Sequence, residues 1–180
     1  MGELFQHRPE DDCVRGLHSF RTGKRIVKSG IPKGHCRYCN AVPIDWERLY
    51  RRDIGDIDYL VLSLKREDVR FAYWCEKEPT FQMVGDVVKL SRDALKQKIV
   101  KRLRSSVSKP KSQNAYDGRQ TPLSDNLIYW AQHACGTCCR ACLEQWHGIG
   151  LEQEMTGEMY DYLAEVMLRF IGDKISMRYV

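Results

Sequence analysis

Four of the chain's eight cysteines fall within thirteen residues, in the stretch CGTCCRACLEQWH from Cys135 to His147. No other feature constrains the fold as strongly. Cys135, Cys138, Cys139 and Cys142 read as two abutting C-x-x-C units, with His133 before them and His147 after. Zinc favours four tetrahedral nitrogen or sulfur ligands, and C-x-x-C lets two thiolates meet one ion across a single turn. Residues three and four apart on a helix share a face, so Cys138, Cys139 and Cys142 can converge, with His147 about one turn further on. Metal binding therefore explains the crowd better than buried thiols do. Interleaved histidines suit zinc better than an iron–sulfur cluster. A redox C-x-x-C would be expected after a strand in a βαβ setting, and none is visible.

A second pair, Cys36 and Cys39 in GHCRYCN, forms a knuckle after Gly34. Asn40 tolerates the left-handed turn that ends such a knuckle. Candidates to complete it are Cys13, His18, His35 and Cys75. Alternatively, Cys36 and Cys39 join two cysteines of the C-terminal cluster around one shared ion. One or two zinc ions are therefore expected.

The expected zinc role is structural. The H-x-E and P-C-x-x-C pieces of a zinc deaminase are missing, as is H-E-x-x-H. The histidine and asparagine pattern of an HNH nuclease does not follow the knuckle. Glu144 reads as a solvated helix residue. No catalytic residue is assigned.

Hydrophobic periodicity points to a mainly α fold, a small helical domain with zinc-stapled turns and an N-terminal zinc knuckle. Asp45 can cap a helix from Trp46, and Ser91 one carrying Leu95, Ile99, Leu103 and Val107. Ile57, Leu60, Val61, Leu64 and Val69 favour another helix, and Leu127, Ile128 and Ala131 a further one. Thr156 precedes a long amphipathic helix from Met159 to Ile171. Residues 1–34 read as irregular with at most a short strand, and 75–90 as a connector with one short strand. The division expected is 1–90, holding the knuckle and helices, and 91–180, a helical domain with the Cys/His cluster. The four tryptophans read as core.

The chain carries 29 basic against 24 acidic residues among 180, a formal charge of +5. That permits an acidic partner without requiring one. Between Ala94 and Tyr116 there are seven bases and no acid: Lys96, Lys98, Lys101, Arg102, Arg104, Lys109 and Lys111. Such a tract can neutralise phosphates. Arg21, Lys24, Arg25 and Lys28 can extend it. No apolar run approaches 18 residues, so no membrane span is expected. The segment MGELFQHRPEDD has no signal core, so a cytoplasmic location is expected, where cysteines serve metals more often than cross-links.

The segment DGRQTPLSDNLIYWAQHACGTCCRACLEQWHGI resembles a small bacterial domain family of unknown function. The resemblance rests on Gln120, Thr121 and Pro122; on Ala131, Gln132 and His133; and on Cys138 through Ile149. It covers roughly residues 92–177. It implies a compact helical domain in a bacterium and no particular activity. It favours His133, Cys138 or Cys139, Cys142 and His147 as ligands, with Cys135 a local addition. The GIPKGHCRYCNAVPIDWERLYRRD segment resembles an N-terminal extension on longer relatives. The function expected is a zinc-stabilised accessory protein contacting nucleic acid or a nucleoprotein complex, in a defence or mobile-element setting. The alternatives are a metal-dependent hydrolase acting on nucleic acid and a protein–protein adaptor.

Overall fold

The computed structural model describes residues 9–20, 30–114 and 118–176. The elements are α1 (Pro9–Val14), α2 (Trp46–Tyr50), a 3-10 turn (Ile54–Asp56), α3 (Ile57–Leu64), α4 (Asp68–Phe71), a π turn (Ala72–Glu76), α5 (Phe81–Val88), α6 (Arg92–Val107), a 3-10 turn (Lys111–Gln113), α7 (Leu127–Ala134), α8 (Arg140–His147) and α9 (Gly157–Ser176). There is no strand among the described residues, so the fold is mainly α. Of residues 21–35, expected to hold at most a short strand, 30–35 hold no strand, and 21–29, with Arg21, Lys24, Arg25 and Lys28, lie outside the described residues.

Side-chain caps set several helix starts. Asp45 accepts from Arg48 N at 3.0 Å, Ser91 from Ala94 N at 3.2 Å and Thr156 from Met159 N at 3.3 Å. Each satisfies a backbone donor that the helix leaves open. α9 packs on α6 and α7. Ile99, Leu103 and Val107 of α6, and Leu163, Val166, Met167 and Phe170 of α9, are wholly buried. Each such side chain stabilises the fold by about 1.5–3 kcal/mol. The apolar cluster runs from Phe20 to Ile171 and draws on both halves of the chain.

Three expectations need correction. Residues 75–90 hold no strand; Thr80 caps α5 through Met83 N, and Met83, Val84 and Val87 bury one face. Residues 1–34 are not all irregular, because α1 occupies Pro9–Val14. The helix expected across Ile57–Val69 breaks near Glu67, which is extended and forms a parallel bridge with His18. There His18 N donates to Arg66 O at 2.7 Å, and Asp68 N donates to His18 O at 2.9 Å. Backbone groups used between segments are unavailable to a helix ladder.

The tryptophans take part in the core. Trp74, Trp130 and Trp146 are buried. Trp46 meets Trp146 at 5.2 Å between ring centroids, and Phe20 edges both at 5.4 and 6.1 Å. These rings tie the N-terminal segment to α8.

Candidate metal centres

Cys13, His18, Cys36 and Cys39 place their donor atoms within 4.8 Å of one another. The Cys13 and Cys36 sulfurs are 3.7 Å apart, and Cys39 Sγ lies 3.4 Å from His18 Nδ1. Each donor has a local cause. Cys13 sits in α1, and Leu17 N donates to Asp12 O at 2.9 Å, which turns the chain back. His18 is pinned to the Arg66–Asp68 backbone. The knuckle closes through Cys36 N to Ala41 O at 2.8 Å and Asn40 N to Cys36 O at 2.9 Å. Asn40 has φ +60°, as its place at the knuckle's end requires.

The thiols of this cluster press on one another. Burial and bonds to Cys39 and Cys36 push Cys13 up to about 12. Burial also raises Cys36, but backbone N–H groups of Cys39, Ser19 and Tyr38, with His18, outweigh it and bring it down to about 6. Neighbouring thiolates repel, so a group of them ionises together only around a cation.

Of the other candidates for this cluster, His35 turns its Nδ1 to Asn40 O and Oδ1, at 3.1 and 3.0 Å. Cys75 is exposed and stands apart from both cysteine groups.

Cys138, Cys139 and Cys142 form the second group, again within 4.8 Å. Cys138 Sγ lies 3.4 Å from Cys142 Sγ. The stretch is not one continuous helix, for α8 begins only at Arg140. Gly136 causes the turn, with φ +70°; a Cβ there would stand 2.9 Å from Trp146 Cβ. Only glycine meets both demands without strain. The turn carries Cys138 and Cys139 over the start of α8, toward Cys142. Thr121 Oγ1 donates to Cys138 O at 2.9 Å and secures it.

Arg70, which the sequence reading passed over, supports this group. It is buried, with Nε 2.5 Å from Glu67 Oε2. It also donates from Nη1 to His133 O at 2.5 Å and from Nη2 to Cys142 Sγ at 3.5 Å. Burial disfavours its charge, but Glu67, Cys142 and Cys138 overcome this and hold it protonated. Bonds from Cys138 and Cys139, then Arg70, hold Cys142 well below the usual thiol range against the effect of burial. Cys138 is pushed well above that range by its bonds to Cys139 and Cys142, and by burial. The i, i+3 spacing of Glu67 and Arg70 was a legible signal; their burial was not.

The two histidines part company. His147 is fully buried, with Nε2 2.8 Å from Cys135 O and Nδ1 3.4 Å from Tyr162 Oη. The structure thus uses both of its ring nitrogens inside the core and does not bring it into the cysteine trio. Burial lowers it to about 4. His133 stands beside the trio, on the wall of a shared cavity, but is not within its donor set. Its ring stacks on Tyr73 at 5.4 Å and its Nε2 donates to Pro122 O at 3.1 Å. A carbonyl only accepts, so Nδ1 keeps a lone pair. Cys135 is buried, with its Sγ 3.6 Å from Val166 O, and is not part of the trio. The two groups are separate, rather than one shared set. Residues 66–70 link them, holding His18 by backbone and Cys142 through Arg70.

The basic tract divides. Lys96 pairs with Asp161 and Glu165, and Arg102 donates to Gln132 Oε1 and Gln120 O. Lys98, Lys101, Arg104, Lys109 and Lys111 are exposed, with the Arg104 guanidinium 4.5 Å from the centre of the Tyr160 ring. Glu144 is part exposed, 3.7 Å from Lys33.

A family model described as "Domain of unknown function (DUF4186)" matches residues 59–172, more than half of the chain. The chain belongs to this family. The matched region takes in most of α3, all of α4 to α8 and most of α9, so it holds the cysteine trio, Arg70 and Glu67. Cys13, His18, Cys36 and Cys39 all lie before it. No solved structure matches the chain. No helix among the described residues is long and apolar enough to cross a membrane.

Proposed function

We propose that this chain is a two-site zinc protein. The Cys13–His18–Cys36–Cys39 site is a closed staple that folds the N-terminal segment onto the helical domain. The Cys138–Cys139–Cys142 trio carries a second zinc as the family domain's own centre. One observation carries the reading: two distinct sets of sulfur-rich donors, each within 4.8 Å, converge from distant or turn-separated positions. Thiolate with imidazole suits zinc, and four protein ligands mark a structural site. Native mass spectrometry of the purified chain tests it. The expected result is two zinc ions per chain, with Cys36→Ser and Cys142→Ser each losing one. A single ion, lost in both variants, would show a shared site instead.

A second reading, contact with nucleic acid, is favoured by the five exposed bases on and after α6. In this reading Lys98 and Lys101 meet phosphates, whereas Lys96 and Arg102 serve the fold. Mobility-shift titrations over a salt series test it. Lys98→Ala/Lys101→Ala should lower the salt slope on duplex DNA by about 2, at roughly 0.9 per phosphate contact. No binding to DNA or RNA at low salt would remove this reading.

A further inference from the structure

The cysteine trio supplies three ligand atoms, one fewer than a closed site has. No fourth cysteine, histidine or carboxylate donor among the described residues lies within the same 4.8 Å set. The trio opens instead on a cavity of about 380 Å³, whose wall includes His133, Tyr73, Gln145 and Trp146. Cys138 and Cys142 are only half-buried.

Gln145 is the second, independent observation. It follows Cys142 by three residues on α8, so it shares that face. It is 6% exposed, and neither its Oε1 nor its Nε2 has a hydrogen-bond partner. A buried polar group left unpartnered is costly, and a carboxamide leaves both a donor and an acceptor unused. Trp146 Nε1, beside it in sequence, is also buried without a partner. Folding alone gives no reason to keep such groups beside a metal site. A ligand that arrives in the cavity does.

We infer that the metal on Cys138, Cys139 and Cys142 keeps its fourth position for a small exogenous ligand bearing an amide-like edge, with Gln145 as the side chain that recognises that edge. The inference rests on the second zinc of the reading above. The carboxamide of Gln145 offers one N–H and one C=O, the complement of a ligand with adjacent C=O and N–H groups. The metal takes a donor oxygen or nitrogen of the same molecule. His133 is the protein's rival for the position, because its Nδ1 retains a lone pair.

Cobalt(II) substitution tests the inference, since its visible spectrum reports the ligand set. The full chain is loaded with cobalt and titrated with azide, a probe of the open position alone, and with glycinamide, whose amine nitrogen binds the metal and whose primary amide adds the C=O and N–H edge. The expected result is a spectral change with both probes in the wild type. In Gln145→Met the azide response should persist, while glycinamide affinity falls about tenfold through two lost hydrogen bonds. Gln145→Met should not lower the melting temperature, because it removes an unpartnered group at similar volume. Azide sensitivity that appears only in His133→Ala would show that His133 closes the site; it would overturn the inference and leave the zinc reading standing. Equal glycinamide affinity in wild type and Gln145→Met would also overturn it. Failure of the trio to take up cobalt would instead defeat the zinc reading.

Discussion

Replacing Arg70 by methionine removes a buried guanidinium at nearly constant stem length. Three interactions go with it: the 2.5 Å pair with Glu67, the bond to His133 O and the bond to Cys142 Sγ. The Glu67 carboxylate, itself 1% exposed, loses its cationic partner. Breaking a buried ion pair from one side costs about 3–5 kcal/mol, most of it from the charge left behind. In a chain of 180 residues each kcal/mol moves the melting temperature by about 2–4 °C, so a fall of roughly 6–20 °C is expected. Thermal unfolding of zinc-saturated protein, followed by circular dichroism, measures it. Arg70→Met/Glu67→Gln should recover much of the loss, because no buried charge remains without a counter-ion. A fall below about 1 kcal/mol for Arg70→Met, or no recovery in the double variant, would refute the assignment of Arg70 as the charge partner of this region.

Other outcomes follow from the same geometry. Chelation of both zinc ions should lower the melting temperature by about 16–32 °C, on the basis that each ion present at roughly a thousand times its dissociation constant adds about 4 kcal/mol; an unchanged curve would exclude a structural role. His147 has a folded pKa lowered from 6.5 to about 4, so its contribution is present above 6.5 and is lost as pH falls toward 4. That contribution is about 3 kcal/mol at most. Urea titrations should therefore show His147→Gln losing less stability than the wild type across that window, with acid release of metal common to both. Leu103→Ala, at a wholly buried position on α6, should cost about 3 kcal/mol in the same titrations. Arg102→Ala should lower stability by freeing Gln132, and should leave the salt slope of any nucleic-acid binding unchanged, unlike Lys98→Ala.

The helices were legible where apolar spacing and a cap coincide. Ser91 with Leu95, Ile99, Leu103 and Val107 is such a case, and so is Asp45 before Trp46. Local pattern failed where tertiary contacts decide. Glu67 ends a good helical stripe because its neighbours' backbone is used by His18. The Thr80 cap and the buried Met83–Val84–Val87 face make α5 a helix where residues 75–90 read as a connector with one short strand. At the sites, spacing pointed to Cys36, Cys39, Cys138, Cys139 and Cys142. It left the completion of the knuckle open among Cys13, His18, His35 and Cys75, because Cys13 and His18 join it through chain turns that no spacing rule encodes. His147 carries a ligand's spacing, yet Tyr162 and the Cys135 carbonyl, both set by tertiary packing, take its nitrogens.

X-ray absorption at the zinc edge of the fully loaded chain tests the central claim most directly. Two separate sites, one with Cys13, His18, Cys36 and Cys39 and the other with Cys138, Cys139, Cys142 and one lighter ligand, predict the same average shell. That shell has three sulfurs at about 2.3 Å and one nitrogen or oxygen at about 2.0–2.1 Å per zinc. An average of four sulfurs and no lighter ligand would contradict the account, because it would place Cys36 and Cys39 with two C-terminal cysteines on one ion.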